Sequence, residues 1–417
     1  MTVDTDAAAA EELIAGHIPA AAHPELPDWD VDPYDEDLLR DPFAYYAALR
    51  DKGPVVRLSR YGALAVGRFE QTREVFSDHA RFLSSRGVGL DDFKLSKPWR
   101  PPSIILEVDP PEHTRARRVM AKAMSPLVAR ALAADFRASA DALVEAALGQ
   151  GRIEAVTEFA EAFPTEVFPR AVGMTDPDRR KLIDYGAMVF NSIGPDNALR
   201  RRAGGLLPEI APWIAASCSR ERLTPGGMGD AVYSAADAGE ITHEEAGLLV
   251  RSFLSAGVDT TVTGIGNALW CFAQNPDQWA ALKADPSLVR PAIEEALRLT
   301  SPVHTFCRTA GQDTEIAGIP VREGTKILCV LGAANTDPEK WEDPMAFRVD
   351  RRPVGHLAFG VGIHGCVGQT VARAELEAVL SALLARVDRI EPDGEAVWRP
   401  NNAMRALDRL PLRLVPR

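Results

Sequence analysis

A ten-residue segment around one cysteine constrains the fold more than any other part of the sequence. Residues Phe359–Gly368 place four glycines around Cys366, just before an amphipathic helix predicted to begin near Gln369. Glycines let the backbone curl round a sulfur and aim N–H groups at it, and the following helix N-terminus stabilises negative charge. The segment therefore suits a metal-bound thiolate, although a lone cysteine in such a loop is more often structural.

Length and charge limit the remaining possibilities. The chain has 417 residues and no linker rich in Gly, Ser or Pro, so we expect one large domain over residues 26–417 behind a flexible N-terminal arm, residues 1–25. Its net charge of −12 argues against a broad basic surface for nucleic acid or anionic lipid. Nucleic acid is therefore not an expected partner.

Cysteine usage and hydropathy indicate the compartment. The five cysteines are widely spaced and include no CxxC pair, which favours a reducing environment. The sequence has no signal-peptide pattern and no run of about 18 apolar residues, which a membrane span needs. We expect a monomeric cytoplasmic protein.

The apolar pattern is mostly helical. Spacings of three and four predict helices over Leu127–Leu148, Ile153–Val172 and Leu376–Leu384. Short β-branched runs predict small sheets between about Asp41 and Val66 and over residues 313–332.

One predicted helix is unusually long. Thr242 and Glu245 form a capping-box pair, and the pattern continues to about Phe272 before Asn275-Pro276 stops it. The middle, residues 256–261, is a poor helix-forming sequence, so something other than helix stability should explain it.

The cysteine segment fits the pattern FxxGx(H/R)xCxG, which chance produces on the order of once in ten thousand such sequences. On this pattern the chain resembles the cytochrome P-450 superfamily of haem-thiolate monooxygenases, from about Asp41 to the C-terminus. The resemblance implies a mainly α fold with small β-sheets, a long central distal helix and haem b with Cys366 as its axial ligand. It places further residues against the haem: Phe359, Gly360, Gly368 and Ala256.

Cations suited to the haem propionates stand at the family's positions. The resemblance assigns this role to His113, Arg117, Arg308 and His364, and the spacing of His113 and Arg117 puts both on one helix face. The resemblance also implies that the locally basic surface around this stretch receives an acidic ferredoxin. A solvated charge run is the alternative for its other arginines.

Asp259 and Thr260 match the acid and alcohol of the family's AGxDT motif. A mid-helix Thr that bonds a backbone carbonyl widens the helix and makes room for dioxygen, and an adjacent acid can relay protons. A helix cap or kink without function is the alternative.

Glu295 and Arg298 match the ExxR motif, although the same spacing also suits a surface ion pair worth about 0.3 kcal/mol. In the family this pair is buried and holds the segment before the cysteine loop. Ala346 stands where many relatives have the third, arginine member, so Arg348 or Arg351 is the expected substitute.

Two stretches, residues 84–115 and 248–261, resemble a bacterial subfamily that oxidises para-substituted benzoic acids. Arg100, Ser103 and Ser252 could hold a carboxylate by charge-assisted hydrogen bonds. Arg251 could assist them or form a surface salt bridge.

The resemblance also supplies an apolar wall, although each member could be ordinary core. Ile193 replaces a usual aromatic, which should admit longer acids such as cinnamates, and His304 replaces a usual Gln. We expect O-demethylation of 4-methoxybenzoate-type acids or para-alkyl hydroxylation. The predicted wall consists of Leu106, Phe190, Ile193, Ala256, Val303 and Phe306.

The chain contains no ferredoxin-like cysteine cluster and no GxGxxG unit. The resemblance therefore implies electrons from an iron-sulfur ferredoxin and its NAD(P)H-dependent ferredoxin reductase, with O2 as co-substrate. The alternatives are a haem-thiolate sensor without turnover, a peroxygenase, a helical scaffold without haem, and a monooxygenase of another hydrophobic small molecule.

Overall fold

The computed structural model describes residues 26–98 and 101–417. This part of the chain is mainly helical with small sheets, which confirms the predicted fold class. The predicted arm, residues 1–25, and the predicted pocket residue Arg100 lie outside the described residues. No helix within the described ranges is long and apolar enough to cross a membrane.

The helices are labelled in chain order. They are α1 (Glu36–Arg40), α2 (Phe43–Lys52), α3 (Phe69–Ser77), α4 (Glu112–Ala123), α5 (Pro126–Gln150), α6 (Ala162–Val172), α7 (Arg179–Asn191), α8 (Ala198–Gly204), α9 (Leu207–Ser217), α10 (Met228–Asp237), α11 (His243–Ala256), α12 (Asp259–Gln274), α13 (Pro276–Ala284), α14 (Val289–Thr300), α15 (Leu331–Asn335) and α16 (Gln369–Arg386).

The strands form four small sheets with the orders β1-β2-β8-β5-β3, β4-β12-β9, β10-β11 and β6-β7. They are β1 (Val56–Leu58), β2 (Ala63–Val66), β3 (Phe82–Leu83), β4 (Arg152–Glu154), β5 (Thr305–Ala310), β6 (Thr314–Ile316), β7 (Ile319–Val321), β8 (Lys326–Val330), β9 (Val387–Pro392), β10 (Val397–Arg399), β11 (Ala406–Arg409) and β12 (Pro411–Pro416).

The two strand-rich segments predicted from the sequence meet in the largest sheet. β2 runs parallel to β8, with Leu64 opposite Ile327, and β5 pairs antiparallel with β8. All five residues of β8 are buried, so this strand lies inside the sheet rather than at an edge. β5 thereby holds Phe306 and Arg308 in fixed register beside the site described below.

The main core lies between α5, α12, α14 and α16. α16 packs along α5 and also contacts α12 and α14. Phe136 and Val144 of α5 and Leu376 and Leu383 of α16 are buried in this core. Each such side chain contributes about 1.5–3 kcal/mol when buried, so α16 is held firmly against α5, α12 and α14.

The long helix predicted from Thr242 is present in two parts, and the break between them falls in its predicted weak middle, residues 256–261. The capping box at Thr242 and Glu245 is present, but α11 ends at Ala256 and α12 begins at Asp259. The Thr260 hydroxyl donates to the carbonyl of Ala256 at 2.6 Å. Side-chain hydroxyls therefore satisfy carbonyls that a regular helix pairs with backbone N–H groups.

The prediction of a helix over residues 153–172 was partly wrong. Its start forms β4, where Ile153 pairs with Leu412, and residues Ala155–Ala160 make a π-helical turn before α6. Backbone pairing with a strand more than 250 residues away is invisible to local periodicity. The helices predicted over residues 127–148 and 376–384 lie within α5 and α16.

Candidate active site

A large cavity lies between the Cys366 loop with α16 on one side and α11 with α12 on the other. It encloses about 1780 Å³ of space not occupied by atoms, part of it open to solvent. Apolar side chains form most of the wall. The polar and charged residues on it are Ser103, Arg117, Tyr185, Arg251, Ser252, Ser255, Thr260, Thr261, Arg308, His364, Cys366 and Glu375.

Cys366 is the only one of the five cysteines, all of them described, that lines this cavity. Its backbone N–H donates to the carbonyl of Phe359 at 2.8 Å and closes the loop. Gly362 has φ +75°, and a Cβ there would lie 2.9 Å from the Phe76 carbonyl oxygen. The glycine is therefore required for the loop to lie against α3.

The sulfur of Cys366 lies in an electrostatically mixed environment. Burial raises the pKa of the Cys366 thiol, whereas the backbone N–H of Gly368 and the Arg117 guanidinium oppose that rise. A metal cation bound to this sulfur would supply the missing positive charge, because metal ligation releases the proton of a thiol.

Four cationic or imidazole side chains converge on one part of the wall. Arg117 of α4, Arg308 of β5 and His364 line the cavity, and the His113 ring lies 4.2 Å from that of His364. Burial lowers the pKa of His113 to about 4. Both Nε2 atoms are buried; that of His113 has no hydrogen-bond partner among the described residues, and that of His364 lies 3.9 Å from an Asp109 carboxylate oxygen. These donors suit an anionic ligand.

The predicted acid and alcohol are placed differently. Thr260 lines the cavity, whereas the Asp259 carboxylate is buried behind the helix. A Cβ at Gly186 would lie 2.5 Å from the Asp259 Cβ, so α7 packs directly on this acid. Burial raises the pKa of Asp259, and Arg399 of β10, 3.6 Å from its Oδ1, opposes the rise.

A cluster of polar side chains extends along α11. Arg251 and Ser252 line the cavity together with Ser103 from the loop before α4. The sequence left two alternatives for Arg251: it forms a surface salt bridge, or it helps to hold a substrate carboxylate. Within the described ranges it has no carboxylate partner, and its Nη2 lies 3.5 Å from the Pro102 carbonyl.

All the predicted apolar wall residues line the cavity. The position at which an aromatic was expected, Ile193, is buried on this wall. His304 does not line the cavity: it is buried, burial lowers its pKa to about 4, and its Nε2 lies 3.4 Å from the Asn401 carbonyl. The wall residues are Leu106, Phe190, Ile193, Ala256, Val303 and Phe306.

The Glu295 and Arg298 pair is fully buried, not a surface pair. Arg298 donates twice to Glu295, at 2.7 and 2.8 Å, and to the carbonyls of Asn335 and Pro344. The third member is Arg351, whose Nε lies 2.9 Å from the Glu295 carboxylate. Arg348 instead pairs with exposed Asp350.

Comparison with known proteins decides the family. The cytochrome P-450 family model matches residues 228–413. The chain is 46% identical over 408 residues to cytochrome P-450 CYP199A2 of Rhodopseudomonas palustris, covering 98% of this chain and 99% of that protein.

The chain belongs to the cytochrome P-450 family.

Further relatives agree. The chain is 32% identical to cytochrome P-450 monooxygenase PikC of Streptomyces venezuelae, covering 93% of this chain and 94% of that protein. The solved structure of cytochrome P-450 CYP109Q5 from Chondromyces apiculatus matches with a TM-score of 0.77 at 30% identity, over 94% of this chain and 99% of that one. CalO2 matches with a TM-score of 0.81 at 28% identity, over 93% and 99%. This protein is a cytochrome P-450 monooxygenase.

Haem b held through a cysteine thiolate is the cofactor of this family, and the cavity of this cytochrome P-450 fits it. Cys366 faces the cavity from one side and Ala256 from the other. The buried imidazole nitrogens of His113 and His364, beside Arg117 and Arg308, suit the two propionates. The predicted cofactor residues Phe359, Gly360 and Gly368 also line the cavity, and His113 lies behind His364.

Several residues of the site were not predicted from the sequence. Glu375 of α16 lines the cavity and burial raises its pKa to about 8; Ser255 and Tyr185 extend the polar cluster. Glu294 holds Arg373 and His356 beside the ring of Phe359. Helical spacing from known site residues could have suggested Ser255, four residues after Arg251. The others depend on tertiary packing.

Proposed function

We propose that this cytochrome P-450 oxidises para-substituted aromatic carboxylic acids, above all by O-demethylation of 4-methoxybenzoate-type substrates. One observation carries the proposal: Arg251, flanked by Ser252, is a guanidinium in the wall of a mainly apolar cavity and has no carboxylate partner in the described part of the chain. Arg251 is half-buried, and a partly desolvated cation without a counter-ion favours an anionic ligand.

The distance between the proposed carboxylate-binding residues and Thr260 fits a reaction at the para position. Ser252 precedes Thr260 by eight residues, which corresponds to about 12 Å along a helix axis. A carboxylate held by Arg251, Ser252 and Ser103 therefore directs the opposite end of an aromatic acid toward the Thr260 and Cys366 end of the cavity. Arg100 belongs to the proposed anchor on the family resemblance alone.

The apolar wall completes the selection. Phe190, Ile193, Val303 and Phe306 present apolar surface to the cavity. A flat, mainly apolar space with few polar anchors suits an aromatic ring. Because Ile193 is smaller than the usual aromatic, longer acids such as cinnamates also belong to the proposed substrate class.

Haem b, ligated by Cys366, supplies the insertion of one oxygen atom from O2. The chain's own residues position the reactants and protons. Thr260 presents a hydroxyl to the cavity, and Asp259, one residue away and shielded from the cavity, is the nearest acid in the chain sequence. We assign to this pair the delivery of protons, which a sensor without turnover does not need.

Electrons come from an iron-sulfur ferredoxin and its NAD(P)H-dependent reductase. The proposed docking surface surrounds α4, where Arg118 is exposed and Arg115 pairs with Glu245. A positive patch on an acidic protein favours an acidic partner. The rate of haem reduction by the ferredoxin should therefore fall as ionic strength rises, and Arg118→Glu should lower it further.

Product analysis tests the proposal. The haem-loaded protein, a bacterial ferredoxin, its reductase and NADH are incubated with 4-methoxybenzoate. We expect equal amounts of 4-hydroxybenzoate and formaldehyde. Each molecule of 4-methoxybenzoate that is demethylated should consume one O2 and one NADH and form one water. The methyl ester serves as the matched control, because it lacks the anion. Turnover of the ester at the same rate as the acid contradicts the proposal.

A further inference from the structure

Phe190 and Ile193 form a part of the cavity wall that we call the far wall. A loop that does not itself line the cavity packs behind it. A separate apolar cluster contains Phe190 and Ile193 from the wall together with Ala403 and Met404. Met404 bridges to Val303, and the His304 N–H donates to the carbonyl of Ala403 at 2.9 Å. The 401–404 loop therefore supports the wall from behind.

Asn402, in the middle of this loop, has no exposed surface and joins it to the end of α7. Its backbone N–H donates to the side-chain oxygen of Asn191 at 3.1 Å, and its Nδ2 donates to the backbone carbonyl of Asn191 at 2.7 Å. Its Oδ1 accepts from Asn197 Nδ2 at 2.7 Å. Both ends of this buried amide are thus satisfied by the segment between Asn191 and Asn197.

That segment carries the far wall. Ile193 lies within it, and a Cβ at the adjacent Gly194 would lie 2.3 Å from the Asn402 Cγ. A Cβ at Gly89 would lie 2.2 Å from the Ile193 carbonyl oxygen. The backbone of residues 193–194 is therefore packed closely against both Gly89 and Asn402, and the Asn402 amide is a polar contact to this segment.

We propose that Asn402 is a positioning residue that sets how bulky a para substituent the space between the α11 anchor and Cys366 accepts. It fixes how far the 191–197 segment, and with it Phe190 and Ile193, projects into the cavity. The inference rests on the proposed function, since it concerns the aromatic acids of that same cavity. A buried, fully paired amide network favours one arrangement of its segments, so loss of the pairing loosens the wall while the carboxylate anchor on α11 stays in place.

Optical titration of the haem-loaded protein with 4-methoxy-, 4-ethoxy- and 4-butoxybenzoate tests this. The variants are Asn402→Ala and Asn197→Asp; the second keeps the cap of α8 but removes the donor to Asn402, and it covers the case in which the first does not fold. Asn275→Ala is the matched control, because Asn275 bonds the Cys271 carbonyl at the end of α12. Hydrogen exchange of residues 191–197 is measured on the same proteins.

We expect the ratio of the 4-butoxy to the 4-methoxy dissociation constants to fall about tenfold in both network variants, a size typical of a change of a few methylenes in an apolar pocket. Exchange in residues 191–197 should accelerate, and Asn275→Ala should change neither quantity. An unchanged ratio, or equal weakening of all three acids, in a wild type that discriminates by substituent size overturns this inference alone. A wild type that binds none of the acids overturns the proposed function and the size selection with it.

Discussion

At the scale of single residues, the acid and alcohol after Ala256 point in different directions. Thr260 lines the cavity, whereas Asp259 is buried against α7 with Arg399 as its nearest cation. The motif predicted both residues but not this division. Arg399 follows Asp259 by 140 positions, so no local pattern could have paired them.

Arg399→Leu should change the pH dependence of turnover. Burial already raises the pKa of Asp259, and loss of the opposing Arg399 charge raises it further. The limb of the pH profile of kcat that reports Asp259 should therefore move to higher pH, and Asp259→Asn should remove it. The exposed Arg409 on the neighbouring strand provides the control, since Arg409→Leu leaves the profile in place. Identical profiles for Arg399→Leu and wild type would refute the role of this pair.

The buried triad allows a matched stability test. Arg351→Leu removes a hydrogen bond to the fully buried Glu295 carboxylate and should lower the free energy of unfolding by about 2 kcal/mol. Arg348→Leu breaks only an exposed pair and should stay within about 0.5 kcal/mol of wild type. Urea denaturation followed by fluorescence measures both. Equal losses would show that Arg351 is not the third member of the network.

Glu375 should make stability depend on pH. Its pKa in the folded protein is about 8, above the ordinary 4.5, so the unfolded chain loses this proton first as pH rises. The contribution of protonated Glu375 to the free energy of unfolding is complete below about pH 4.5 and is lost between there and about pH 8. The free energy of unfolding of Glu375→Gln, measured relative to wild type, should therefore be higher at pH 8 than at pH 5. A difference of the same size at both pH values would contradict this.

At the scale of elements, local signals succeeded where local chemistry decides and failed where pairing is distant. The capping box of α11 and the helices α5 and α16 follow from caps and apolar spacing. The poor helix-forming sequence at residues 256–261 marked the break, but only the Thr260 hydroxyl bond shows how the carbonyls are satisfied. β4 depends on β12 and could not be foreseen.

The break between α11 and α12 also depends on close packing. A Cβ at Gly257 would lie 2.3 Å from the Phe168 ring, so Gly257→Ala should cost about 2 kcal/mol by overpacking. Gly266 in α12 is the control: its nearest neighbour would be 3.8 Å away, so Gly266→Ala should be neutral or stabilising. Thermal denaturation of the haem-loaded proteins compares them. If both variants melt like wild type, the packing argument is wrong.

At the scale of the whole molecule, the cysteine loop and its resemblance predicted the family, the fold class and the position of the cavity. What they could not supply was the set of contacts between distant segments. The choice of Arg351 over Arg348 in the triad, Glu375 in the cavity wall and Asn402 behind that wall all depend on chain segments that meet only in the folded protein. Such contacts follow from tertiary packing and leave no periodic signal.

The carboxylate anchor is tested most directly by an optical titration of the ferric, haem-loaded protein with 4-methoxybenzoate beside its methyl ester. We expect a low-spin to high-spin shift of the Soret band with the acid and little with the ester, and at least tenfold weaker binding of the acid to Arg251→Leu. A Soret band that neither compound moves, or that both move equally, would contradict the carboxylate anchor.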